Sequence, residues 1–182
     1  KIMKIAFLLP CNSIAGGIFV TYIQAHALKK SGHDATIIYS HFNAHDRFLN
    51  YPEFSLNHTT LESVLLNNDK YDVVIATWWE TFYEMFKVRA QRYFYFVQSD
   101  ERRFYPPEQS TQKLLVQNSY SFKDIGVVTE AMWIKRMLES EFGTSVEYAP
   151  NGVDTKIFNP EATALAPRTG KFRILIEGSS GL

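Results

Sequence analysis

The stretch KIAFLLPCNSIAGGIFVTYIQAHALKKSG, residues 4–32, decides the fold. It opens with an apolar run, Ile5 to Leu9, of the kind that forms a strand buried on both faces of a parallel sheet. The run breaks at Pro10-Cys11-Asn12-Ser13 and passes through Gly16-Gly17. A helix then follows to Lys29-Lys30, with Gly32 as its stop. Val20, Ile23 and Ala27, at i, i+3 and i+7, are the expected inward face. The glycine pair admits close approach of backbone to a ligand, and the helix start offers free N–H groups at its positive end.

The remaining chain repeats this strand-loop-helix unit. Asp34 to Ser40 reads as a second strand, parallel to the first because one helix connects them. Residues His41 to Phe54 lack a period and read as loop. Thr59 and Glu62 have capping-box spacing ahead of a short helix carrying Leu61, Val64 and Leu65. Tyr71 to Thr77 is the third strand. Trp78, Phe82, Met85 and Phe86 follow at helical spacing. Arg92 to Gln98 is an aromatic-rich fourth strand, followed by a charged loop, Ser99 to Pro107. Gln109 to Asn118 is predicted as helix and Asp124 to Val128 as strand. Glu130 to Phe142 is predicted as helix, with Ile134, Met137 and Leu138 inward and Gly143 as terminator. Val146 to Tyr148 is a last short strand before the turn Ala149 to Asp154.

Alternating strands and helices of this kind predict a doubly wound α/β fold with a parallel sheet and Rossmann-like layers. Residues 1–158 form the expected domain. Residues 159–171, rich in Pro, Ala and Thr, read as linker. Residues 172–182 read as the first strand and glycine loop of a second unit that continues past Leu182.

The totals narrow the function. The chain has 182 residues and is formally neutral, with 19 basic and 19 acidic side chains. A general electrostatic grip on nucleic acid needs a basic face, so no nucleic-acid partner is expected. No apolar run approaches the ~18 residues of a membrane span. The start lacks a signal-peptide pattern. The single Cys11 excludes an intrachain disulfide and a multi-cysteine zinc site, which favours a cytoplasmic protein. The five histidines show no zinc-ligand spacing, and there is no Asp-x-Asp pair, so no metal is expected. No hydrolase elbow or Walker A loop is present either.

In a doubly wound sheet, ligands bind beyond the carboxyl ends of the strands. The segments there are Pro10–Gly17, Ser40–Asn43, Thr77–Glu80, Gln98–Arg103, Thr129–Glu130 and Pro150–Asp154. Gly16 and Gly17 are the first candidates for substrate binding. Trp78 and Trp79 cannot both face inward, so one of them is expected to offer an indole face to a sugar ring or base. Glu80 can accept hydrogen bonds from hydroxyls. Gln98-Ser99-Asp100-Glu101-Arg102-Arg103 gathers the most polar chemistry. A carboxylate at a strand end suits a general base, and Asp100, nearest the strand, is preferred to Glu101. Arg102 beside it suits phosphate binding. Gln98 and Ser99 complete this group.

The turn Ala149-Pro-Asn-Gly-Val-Asp154, with Phe158 after it, resembles the retaining glycosyltransferases of the GT-B fold, in the large family 4 group. The Gly16-Gly17 loop with its helix, Tyr71-Asp-Val-Val-Ile75, Val127-Val128-Thr129-Glu130 and Phe172 to Gly178 are similar to segments of the same family, in the same order. The segment Tyr93 to Glu101 resembles the rhamnosyltransferase branch acting on cell-surface glycans. The resemblance implies an N-terminal domain that takes a saccharide or lipid-linked saccharide acceptor. A C-terminal domain of the same protein would hold the nucleotide-sugar donor. It implies no cofactor and no metal, a place in cell-surface polysaccharide biosynthesis, and a cytoplasmic location, with the inner face of the membrane as a candidate surface. Asn151 is then expected to support the interdomain face. Where many members carry a histidine after the fourth strand, this chain has Gln98-Ser99-Asp100. Two alternatives stay open: a non-catalytic glycan-binding domain of the same fold, and a GT-B-type sugar-nucleotide epimerase.

Overall fold

The computed structural model describes residues 1–13, 15–43, 54–156, 158–161 and 174. The chain forms two units, Lys1–Pro150 and Asn151–Leu182. In the second, the described residues form a turn. Asp154 accepts from the backbone of Lys156 and Phe158, and Asn159 caps Glu161. Asn151 is exposed there. The strand expected at residues 172–177 lies, apart from Ile174, outside the described residues.

The first unit runs β1 (Lys4–Cys11), α1 (Gly16–Lys30), β2 (Asp34–His41), β3 (Asn57–Thr60), α2 (Leu61–Leu66), β4 (Lys70–Ala76), α3 (Trp79–Glu84), β5 (Arg89–Val97), α4 (Ser110–Tyr120), β6 (Gly126–Thr129), α5 (Met132–Phe142) and β7 (Glu147–Tyr148). The strands form one all-parallel seven-stranded sheet in the order β3-β2-β1-β4-β5-β6-β7. This is the doubly wound Rossmann-like α/β architecture that the strand-helix alternation predicts.

Period-two alternation along β1 builds a separate core on each face of the sheet. Ile5, Phe7 and Leu9 pack with Ile18, Tyr22 and Ala25 of α1 and with Ile37 and Tyr39 of β2. Ala6 and Leu8 face the other way, toward the side chains of α2, α3, α4 and α5. Burying each large apolar side chain contributes about 1.5–3 kcal/mol. The sheet is therefore held by its helices on both sides as well as by its ladder.

Three local expectations are corrected. The inward face of α1 is Ile18, Thr21, Tyr22 and Ala25, while Ile23 is 39% exposed. The helical period is right, but the phase is set by Tyr22, whose hydroxyl bonds that of Tyr39 inside the core. The cap of α2 is Thr60, accepting from Ser63 N at 3.2 Å, one residue later than expected, because the helix starts at Leu61. Strand β3 itself was not expected. Its sequence, Asn-His-Thr-Thr, has no apolar run, as suits a short edge strand. The two terminators hold: Gly32 at φ 88° and Gly143 at φ 61° adopt the left-handed conformation that glycine tolerates best.

Strand order reverses between β1 and β4, since β2 and β3 lie to one side and β5 to β7 to the other. Pairing of β1 with β4 stops at Leu8 opposite Ala76. There Thr77 turns away, its Oγ1 donating to Leu8 O at 2.9 Å. Leu9 to Cys11 thus run on past the end of their neighbour and leave one wall of a crevice.

Candidate functional site

That crevice has a volume of about 800 Å³. Its walls come from strand ends far apart in sequence: Leu9 to Cys11 at the end of β1, Thr77 and Trp78 after β4, Gln98 and Ser99 after β5, and Glu130 after β6. The first turn of α1 and the single-turn 3-10 helix Glu101–Phe104 close it. This is the position the switch-point rule assigns to a ligand.

The two glycines do different work. A Cβ on Gly16 meets nothing within 4 Å, so the crevice is open above it. A Cβ on Gly17 sits 3.1 Å from Gln98 Oε1, so the absent side chain makes room for the Gln98 amide. That amide oxygen is buried without a hydrogen bond among the described residues. Helix α1 starts at Gly16 after Ala15, with no side-chain cap and no acidic residue in its first turn. Its first N–H groups and positive dipole end thus border the crevice, with no acidic side chain in the helix's own first turn.

The tryptophans divide as expected, in the sense opposite to that suggested by the Trp78–Phe82 spacing. Helix α3 begins at Trp79, so Trp79 and Phe82 share its inner face and Trp79 is 7% exposed. Its indole N–H donates to Tyr105 Oη at 2.7 Å. Trp78 is the extended residue ahead of the helix. Thr81 Oγ1 accepts from Trp78 N at 3.0 Å and donates to Trp78 O at 2.7 Å. Thus held, the Trp78 ring lies 5.5 Å from that of Phe104. The two rings line the crevice, and Phe104 remains 49% exposed.

Of the two adjacent carboxylates, Glu101 lines the crevice and Asp100 does not. Asp100 binds Arg102 through both oxygens, at 2.7 Å to Nε and 3.0 Å to Nη2. Arg102 also reaches Glu141 at 2.8 Å and lies over the Phe142 ring. The pair ties this loop to α5, and neither residue lines the crevice. The two carboxylates hold the Arg102 guanidinium even more firmly protonated than usual. A general base or phosphate ligand built on these two would first have to break that clamp.

Glu101 is 1% exposed. Its Oε2 accepts from Trp79 N at 2.8 Å and from Tyr95 Oη at 2.9 Å. Its backbone N–H donates to Tyr120 Oη at 2.9 Å, and Tyr120 in turn donates to Ser99 O. Burial pushes its carboxyl up to about 8, against the opposing pull of the Tyr95 and Trp79 hydrogen bonds. Burial likewise raises the Tyr95 and Tyr120 hydroxyls, so the surroundings favour the uncharged form of all three groups. In sequence, Glu101 looks like one more charge between Asp100 and Arg102. Its only sequence-level signal is its place four residues past a buried strand end, at the start of a turn that ends in an aromatic.

Glu80 is exposed and, with Trp79, borders a smaller cavity of about 250 Å³ beside Ser40 and His41. Gly16, Gly17, Trp78, Gln98 and Ser99 therefore meet in the larger crevice, whereas Trp79, Glu80, Asp100 and Arg102 do not line it. Glu130 lines it, in the expected Thr129–Glu130 segment, and Phe104 lines it from beyond the expected Gln98–Arg103 segment. Cys11 also lines it, half-buried, with Sγ 2.8 Å from Ser13 Oγ. Among the described residues, no group of three His, Cys, Asp or Glu is placed to hold a metal ion. No described helix is long and apolar enough to cross a membrane.

No family model matches the chain, and no curated protein matches it in sequence. Solved structures do match its fold. One is HepE of Anabaena, crystallised in complex with UDP and glucose, at 14% identity and a TM-score of 0.63. The match covers 87% of this chain and 47% of HepE, so the chain spans about half the length of that structure. At this identity the likeness establishes a shared α/β fold.

Proposed function

We propose that this chain is the acceptor-side, N-terminal half of a GT-B glycosyltransferase. The whole protein moves a sugar from a nucleotide-sugar donor to a glycan or lipid-linked acceptor with retention of configuration. The observation that carries this reading is the crevice at the β1/β4 reversal. It combines an uncapped helix start at Gly16-Gly17, suited to a diphosphate, with an aromatic wall of Trp78 and Phe104, suited to a sugar face. Gln98, Ser99 and Glu101 add polar groups for hydroxyls. The binding of UDP and glucose by HepE, a protein of the same fold, supports the same ligand class. The sequence resemblance through Pro150-Asn-Gly-Val-Asp154 supports the family 4, retaining type and a second domain that holds the donor. The work belongs on the cytoplasmic side, in polysaccharide assembly.

The test is the full-length gene product incubated with UDP-glucose and related nucleotide sugars plus saccharide acceptors. Nucleotide release and the anomeric proton signals of the product are followed. The expected result is acceptor-dependent release with the donor's anomeric configuration kept, falling at least about tenfold in Trp78→Ala at unchanged melting temperature. Release that ignores the acceptor, or that Trp78→Ala leaves intact, overturns the proposal.

A further inference from the structure

We infer that Glu101 is a ligand-binding residue that works as a hydrogen-bond donor, offering Oε1–H to an oxygen of a sugar held against Trp78 and Phe104. The inference rests on the glycosyltransferase reading and assigns a role within its crevice.

The geometry separates the two carboxyl oxygens. Oε2 receives both donors, Trp79 N–H and Tyr95 O–H, and is thereby saturated as an acceptor. Oε1 takes no hydrogen bond among the described residues, and the residue lines the crevice. A proton on this carboxyl therefore sits on Oε1, since a proton on Oε2 would point at two donors. The surroundings keep that proton in place. Trp79 of α3, Tyr95 of β5 and Tyr120 of α4 pack around the group, and none carries a charge near neutrality. The nearby charges are mostly negative: Asp100 and Glu80 both oppose ionisation, and Glu130 borders the same crevice. The adjoining cation in sequence, Arg102, is committed to Asp100 and Glu141.

Below about pH 8 such a group holds its proton and serves as a donor. On the same crevice, the buried Gln98 amide oxygen lacks a hydrogen bond among the described residues. A ring presenting neighbouring oxygens would engage the Glu101 hydroxyl with one and the Gln98 amide with the next. Once ionised, Glu101 keeps its two internal bonds and loses the one donor it shows the ligand.

The experiment titrates glucose into the 182-residue chain at about pH 6.5 and 9.5, following tryptophan fluorescence, which Trp78 reports from the crevice wall. With the carboxyl at about 8, its protonated fraction falls about 30-fold across that interval. Wild-type affinity is expected to fall at least about tenfold in parallel. Glu101→Ala should lose affinity at the lower pH. Glu101→Gln, whose amide N–H₂ donates from the same place, should restore it and abolish the fall. A Gln variant that loses affinity like Ala while its melting temperature holds, or that keeps the wild-type pH dependence, overturns the donor role and leaves sugar binding standing. Failure of glucose to bind wild type at either pH overturns the reading beneath it and this inference with it.

Discussion

Glu101→Gln should also change stability in a pH-dependent way whose sign and size follow from the buried carboxyl. In the unfolded chain the group titrates near its ordinary value of 4.5, and burial in the fold pushes it up to about 8. Between these values folding takes up one proton. Its stabilising contribution is complete below 4.5, shrinks as pH rises, and is lost once pH passes about 8. One proton corresponds to about 1.4 kcal/mol per pH unit, or about 4 kcal/mol between pH 5 and 8. Glutamine has the same outline, accepts from Trp79 N–H and Tyr95 O–H, and takes up no proton. The stability of Glu101→Gln relative to wild type should therefore climb by about 4 kcal/mol from pH 5 to 8 and then flatten. Urea denaturation at half-unit pH steps measures this, with constant m confirming that both chains unfold alike. A difference that stays level across the interval, or declines with pH, refutes the placement of a protonated Glu101 in the core.

Other substitutions separate scaffold from site. Asp100→Ala should cost about 1–3 kcal/mol in chemical denaturation by releasing Arg102 from its half-buried clamp, while nucleotide-sugar turnover changes by less than about fivefold. A hundredfold loss of turnover would return Asp100 to the chemistry. Thr77→Val keeps the shape but removes the buried bond to Leu8 O, and should lower stability by about 1–2 kcal/mol at unchanged m. Tyr39→Phe removes the bonds to Tyr22 and His58 and should destabilise by about 1–3 kcal/mol; an unchanged denaturation midpoint would contradict those bonds. Gly17→Ala brings a methyl against the Gln98 amide and should weaken glucose binding, with stability shifting by less than about 1 kcal/mol because the amide end is flexible.

The fold was legible where burial is two-sided. The runs Ile5–Leu9 and Tyr71–Ile75 admit no solvent face, and a sheet with both faces covered is what such runs require. Chain order then gives the crevice, since carboxyl ends of parallel strands gather on one edge. Helix phase was less legible. In α1, Thr21 and Tyr22 are buried through a tyrosine pair that hydropathy does not reveal, while the apolar Ile23 faces outward. The site divided for a related reason. Gly16, Gly17, Trp78 and Gln98 follow from their places beyond strand ends. Asp100 and Glu101 are adjacent carboxylates, and only the turn after β5 decides which one goes inside. Its backbone places Glu101 under the N–H of Trp79 and leaves Asp100 to cap the turn and pair with Arg102.

The central claim is that the β1/β4 crevice receives a sugar. A crystal structure of the protein soaked with glucose tests it most directly. The account predicts a hexose against Trp78 and Phe104, with one oxygen within hydrogen-bond distance of Glu101 Oε1. Glucose seated instead in the smaller cavity beside Glu80, or a crevice that holds only solvent at saturating sugar, would contradict it.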